Sequence, residues 1–157
     1  MKYDLVVKGG TVVTASDSYL ADIGIRNGKI AAVGEIDSKG IETVDAKGMK
    51  VVPGGIDVHT HFDMPFMGAT TADDFASGSL AAACGGTTSV VDFAIQERGK
   101  SLLDGLGKWH KKAQAKSVVD YGFHMIVVDL PESRTKEMDR VVHEGSPTFK
   151  LFMAYPG

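Results

Sequence analysis

The sequence predicts an α/β fold, the amino-terminal part of a (β/α)8 TIM-type barrel preceded by a small accessory β region. Three observations predict it. Strand-length apolar runs at 56–61, 87–93, 121–129 and 148–155 alternate with stretches of helical periodicity. Strands separated by helices specify a parallel sheet with right-handed crossovers. Four such strands within about one hundred residues match half of an eight-stranded barrel, whose usual size is about 250 residues. The expected boundaries are an accessory region over 1–52 and the first half of a barrel over 53–157. A parallel sheet normally has both faces covered and its edges paired, so a chain ending after a fourth strand reads as the amino-terminal piece of a longer protein.

Taken in order, residues 1–52 read as short strands joined by glycine turns. Ala21–Arg26 alternates, with Ile23 and Ile25 on one face and Asp22, Gly24 and Arg26 on the other. Asn27-Gly28 is a hairpin signal leading into 29–33, and the turn Ala46-Lys47-Gly48 leads into 49–52. So thin a β region is too small to form a stable sheet domain alone. From Pro53-Gly54-Gly55 the rhythm changes. Thr71-x-x-Asp74 resembles a capping box before a helix over 75–84, and Ser101-x-x-Asp104 repeats the pattern. In the second helix Leu102, Leu106, Trp109 and Ala113 form one apolar stripe, with Lys108, Lys111 and Lys112 outside it. Trp109 and His110 therefore read as packing and surface residues. A third helix spans about 132–143 and stops at Gly145.

Composition narrows the function classes. The chain has 157 residues, 43% hydrophobic and 24% charged, with a formal net charge of −3, an ordinary soluble composition. Its lysines are scattered, which gives nucleic acid no basic footprint. The apolar runs fall far short of the roughly 20 residues of a membrane span, and Met1-Lys2-Tyr3-Asp4 lacks the pattern of a signal peptide. The single cysteine, Cys84, rules out an intrachain disulfide framework and, at a helix end, reads as a small buried core residue. A cytoplasmic protein is expected.

The chemistry gathers at His59-x-His61, at the end of the apolar strand after the glycine turn. Residues two apart on a strand share a face, so both imidazoles project to one side. Two neutral imidazoles converging this way suit a borderline-soft divalent metal such as zinc. The plainer reading is two unrelated histidines at a strand end. Two of only five histidines on one face, between a Pro-Gly-Gly turn and Pro65, argue against it. In the last strand Phe149, Leu151 and Met153 form a helix-facing set, which turns Lys150 toward the interior. There its ammonium pairs with a carboxylate, reaches solvent at the mouth, or loses its proton and adds carbon dioxide to become a carbamate. Asp57 shares the parity of the histidines and reads equally as a partner behind the metal ligands or a structural acid. Asp92 reads as a group near the mouth or a capping residue, His124 as a hydrogen-bonded core histidine, and His143 as a helix-end surface residue. Met64, Pro65 and Phe66 read as a loop bordering a pocket.

Gly54-Gly55-Ile56-Asp57-Val58-His59-Thr60-His61, with Phe149-Lys150-Leu151-Phe152-Met153-Ala154-Tyr155, resembles the cyclic amidohydrolases, and most of all their dihydropyrimidinase and D-hydantoinase branch. The resemblance extends over essentially the whole chain, through Asp63-Met64-Pro65-Phe66, Gly85-Gly86-Thr87-Thr88 and Asp120-Tyr121-Gly122-Phe123-His124. It implies a barrel of the metal-dependent hydrolase kind with an accessory β-sandwich and two zinc ions per subunit. His59 and His61 would ligate one metal, and Lys150, carboxylated by carbon dioxide, would bridge both. Two more histidines and an aspartate, the general acid/base, would lie beyond residue 157. Tyr155 would contact the substrate carbonyl and its developing oxyanion. The metal-bridging hydroxide would open a dihydropyrimidine or 5-substituted hydantoin to an N-carbamoyl amino acid. The resemblance also implies a homotetramer acting on a small cyclic ureide, and inactivity for these residues alone.

Two other readings share the scaffold. Non-catalytic dihydropyrimidinase-like oligomeric scaffold proteins lack the intact ligand set, which His59, His61 and Lys150 argue against; allantoinase is a weaker alternative. Dihydroorotases commonly carry an arginine two positions after the second histidine, where this chain has Asp63, a residue expected to repel an acidic substrate.

Overall fold

The computed structural model describes residues 3–66 and 68–153, and the chain divides into two compact units, Met1–Pro53 and Gly54–Gly157. The first unit holds β1 (Leu5–Val13), β2 (Ser18–Arg26), β3 (Lys29–Gly34), β4 (Glu42–Asp45) and β5 (Lys50–Val51). They form one sheet in the order β3-β2-β1-β4, with β5 also on β1. The β1–β2–β3 meander is antiparallel, whereas β4 and β5 run parallel to β1. Asn27 and Gly28 take φ of 52° and 70°, the two positive values that a tight two-residue hairpin requires.

Alternation in β2 put Asp22 opposite Ile23, and the structure buries both. The segment after β3 covers the polar face with Ile36, and Asp22 keeps only 8% of its surface. Its carboxylate is satisfied there. Oδ1 accepts from the Gly9 N–H at the β1 bulge (2.8 Å), and Oδ2 accepts from the Ile36 N–H (3.0 Å) and Lys8 Nζ (3.1 Å).

The second unit holds β6 (Gly55–Thr60), the short hairpin β7 (Pro65–Phe66) and β8 (Ala69–Thr70), α1 (Phe75–Cys84), β9 (Thr87–Ile95), α2 (Leu102–Ala113), β10 (Asp120–Ile126), a 3-10 turn at Glu132–Arg134, α3 (Lys136–His143) and β11 (Phe149–Lys150). Strands β6, β9, β10 and β11 form a parallel sheet in that spatial order, and a helix-bearing segment separates each neighbouring pair in sequence. Phe75 from α1, Leu102, Leu106, Trp109 and Ala113 from α2, and Val141 from α3 pack with Ala94, Phe123 and Met125 of the strands. The stripe expected on the second helix is the buried face of α2.

Four local expectations are corrected. The capping box of α1 is Asp74 with Ser77, one turn later than Thr71-x-x-Asp74; the Thr71 hydroxyl accepts from the Met64 N–H instead. Cys84 is exposed, because it lies about two and a half turns after Phe75 and so opposite the buried face of α1. The third helix is broken at Thr135 into the 3-10 turn and α3. Leu151 and Met153 are exposed, because the pairing of β11 ends at Lys150 among the described residues; of the expected helix-facing set, Phe149 alone packs against the core.

Hydrogen bonds from Gly9 and Ile36 hold the Asp22 carboxyl below its ordinary pKa of 3.8. A depressed carboxylate pKa contributes stability that is full above the ordinary value and disappears as pH falls through the folded one. Asp22→Asn should therefore destabilise the first unit at neutral pH by about 1–3 kcal/mol. Hydrogen exchange at the Gly9 and Ile36 amides measures it, and the gap from the parent chain should narrow below pH 3.8; equal protection at neutral pH would refute it.

Candidate metal centre

Strand register decides which side chains meet. Thr60 pairs with Asp92, Phe123 with Asp92, His124 with Phe93, and Ile126 with Lys150. Residues paired across parallel strands share a face, so one face carries Thr60, Asp92 and Phe123, and the other carries His59, His61, Phe93, His124 and Lys150. The second set converges on one ring. The His59 and His61 centroids lie 4.6 and 4.9 Å from that of Phe93, His124 lies 4.8 Å away, and Lys150 Nζ sits 4.2 Å from the same centroid.

The two imidazoles are 5.1 Å apart and nearly perpendicular, at 85°. His61 Nδ1 is buried and makes no hydrogen bond, the one such side-chain nitrogen or oxygen among the described residues. Burial lowers the His61 pKa; Asp92 opposes this, while Lys150 and His59 reinforce it. A neutral imidazole with an unused ring nitrogen is the form that ligates a metal. Lys150 Nζ also lies 5.3 Å from the Phe152 ring centroid, and no carboxylate pairs with it among the described residues. The structure thus brings His59, His61 and Lys150 together. Among the described residues no cluster of three or more histidine, cysteine or carboxylate side chains could hold a metal by itself. Tyr155 lies outside the described residues.

A cleft of about 650 Å³ opens beside the centre, lined by His61, Lys150, Met64, Pro65, Phe66 and Phe152 among others. Its wall is largely apolar. The segment expected as a loop is in part the β7–β8 hairpin. Asp63, expected to repel an acidic substrate, pairs with Lys116 at 3.7 Å and accepts at its main-chain carbonyl from Lys112.

Asp57 accepts from the His59 main-chain N–H (3.0 Å), a bond that fixes the strand. Asp92 lies within β9 rather than at its end and is wholly buried on the helix side; of its two sequence readings the capping one holds, because it accepts from the Phe62 N–H just beyond β6. Its Oδ2 accepts from Thr60 Oγ1 (3.0 Å) and the Phe62 N–H (2.7 Å); its Oδ1 accepts from Trp109 Nε1 (3.1 Å) and the Phe93 N–H (2.8 Å). His124 is hydrogen-bonded as expected, through Nε2 to the Val58 carbonyl (2.9 Å) and through Nδ1 to the Thr148 hydroxyl. Sequence reasoning missed Phe93 altogether. The available signal was its parity, one residue out of step with Asp92 on a strand next to the histidine strand.

The chain belongs to the amidohydrolase family, whose model matches residues 50–151. Within that family it is similar to a D-hydantoinase of Streptomyces coelicolor, 51% identical over 97% of this chain and 34% of the relative. It is also similar to a dihydropyrimidinase of Dictyostelium discoideum, 43% identical over 96% of this chain and 31% of the relative. A crystal structure of dihydropyrimidinase from Brevibacillus agri superposes with a TM-score of 0.93 at 47% identity, covering 97% of this chain and 33% of that one. The chain spans about a third of the length of the curated relatives it matches.

Phe93 is the common surface for both histidines and Lys150. Phe93→Ala should lower stability by about 3–5 kcal/mol, because the site cannot close over so large a loss of volume. Urea unfolding measures it, and an unchanged midpoint would show that the rings do not pack on Phe93.

Proposed function

We propose that the whole protein carrying this chain hydrolyses the cyclic amide bond of dihydropyrimidines or 5-substituted hydantoins to N-carbamoyl amino acids. In this reading 54–157 is the first half of a (β/α)8 barrel, and 1–53 is part of an accessory β-sandwich. The observation that carries the reading is the buried, unpartnered His61 Nδ1 beside His59 and Lys150 at the mouth of an apolar cleft. The names of the similar proteins, D-hydantoinase and dihydropyrimidinase, support the substrate class.

His59, His61 and Lys150, the last as its carbamate, would hold a zinc pair. The lysine first loses its proton; its nitrogen lone pair then bonds the carbon of carbon dioxide and releases a second proton, leaving an anionic carboxylate. When bound, the zinc pair supplies Lewis acidity toward the amide carbonyl and acidifies a water. The chain's own residues do the rest. The Phe93 ring lies against all three ligand side chains, and the apolar wall of Met64, Pro65, Phe66 and Phe152 receives the ring and its substituent while limiting bulk water. Tyr155 donates its phenolic hydrogen bond to the carbonyl oxygen as charge develops there. Asp57 holds the His59 main chain. The proposed assembly is a cytoplasmic homotetramer.

In the full-length protein, Lys150→Ala should reduce zinc from two ions per subunit to at most one. Turnover of dihydrouracil and of 5-substituted hydantoins should fall by more than about 100-fold, because a direct ligand matters at least as much as the groups behind it. Zinc analysis and product assay together check this; unchanged zinc content and turnover would refute the bridging lysine.

A further inference from the structure

We propose that Asp92 is the positioning residue of the metal centre: it holds His61 by bonding the residues on either side of it, and it anchors the ring on which both histidines rest. This rests on the metal reading above for what His61 binds, but the geometry is independent of it. One oxygen of the carboxylate accepts from the Thr60 hydroxyl and the Phe62 N–H, which bracket His61 in the chain. The other accepts from the Trp109 indole N–H and from the N–H of Phe93, whose ring lies 4.6 and 4.9 Å from the two imidazoles. Strand β6 ends at Thr60, and among the described residues no main-chain hydrogen bond from the His61 N–H continues the ladder. The carboxylate takes over at that point. A second tie runs from the same helix: Lys112 of α2 donates to the Asp63 carbonyl, in a residue with φ of 52°, and stacks over Trp109 at 4.4 Å.

The cost of this arrangement explains why it holds position. Asp92 is wholly out of water, and a buried carboxylate persists only where donors replace its hydration. Four donors meet it, each fixed in direction by a main chain, an indole or a β-branched side chain. Moving Thr60 or Phe62 strips a bond from a buried charge, so the backbone around His61 has one favoured setting. Asp92 touches neither metal nor substrate in this scheme. Its influence passes through the main chain and through Phe93.

The test uses the full-length protein as three variants: Asp92→Asn, Thr60→Val, and Val141→Ala as a control for lost core packing. Zinc release to a chelator should be faster by about 10–100-fold in Asp92→Asn, as for groups that orient metal ligands, and faster by a smaller factor in Thr60→Val. Val141→Ala, a buried α3 residue of the helix-side core with no part in the ring contacts of the centre, should release zinc at the parent rate. In metal-free protein, acylation of His61 by diethyl pyrocarbonate, read by peptide mass spectrometry against exposed His143, should rise severalfold in Asp92→Asn and stay unchanged in Val141→Ala. If Asp92→Asn fails to fold, Thr60→Val carries both measurements alone. Zinc release and His61 acylation unchanged in Asp92→Asn, or raised equally in Val141→Ala, would overturn the proposal. A parent protein that takes up no zinc would overturn the metal reading instead, and the acylation of His61 would still decide the role of Asp92.

Discussion

In a parallel sheet, alternate residues of each strand point to opposite faces, and the register between strands decides which of them become neighbours. Here that register sorts chemistry from packing. Phe123 pairs with Asp92 and Met125 with Ala94 on the side of the helices, while His124 pairs with Phe93 on the side of the cleft. A slip of one residue in β9 would exchange Asp92 and Phe93. A carboxylate would then lie among the imidazoles and an aromatic ring under Trp109. The helix layer resists that slip, because Trp109 offers one directed N–H and needs an acceptor beneath it.

The parts of the site legible in the sequence are those set by local periodicity. His59 and His61 are two apart, and Lys150 alternates with Phe149, so period-two alternation placed each on the correct face. The α2 stripe was equally legible, because its spacing is local and its hydrophobic contrast strong. Cys84 and the capping box were misread where a helix face or a cap has several candidate residues and the packing selects one. Asp92 and Phe93 were opaque for another reason. The role of Asp92 comes from Phe62 and Thr60, 30 and 32 positions away in sequence, and that of Phe93 from His59, His61 and Lys150 on other strands, and nothing near either residue announces them. Alternation in β2 failed at Asp22 because a later segment covers a face that period alone assigns to water.

The buried polar groups divide into two kinds, and the division bears on function. Asp22, Ser79, Asp92, Gln96 and Ser146 are buried, and each has hydrogen-bond partners. His61 Nδ1 is buried with none. An unsatisfied buried acceptor or donor costs about 1–3 kcal/mol, so a fold that satisfies its other buried polar side chains does not leave this one idle without compensation. A ligand that accepts the lone pair of the neutral ring removes the cost. Asp92 and His61 are thus complementary. In the proposed reading the satisfied carboxylate holds the backbone still, and the unpartnered nitrogen beside it is the capacity to bind.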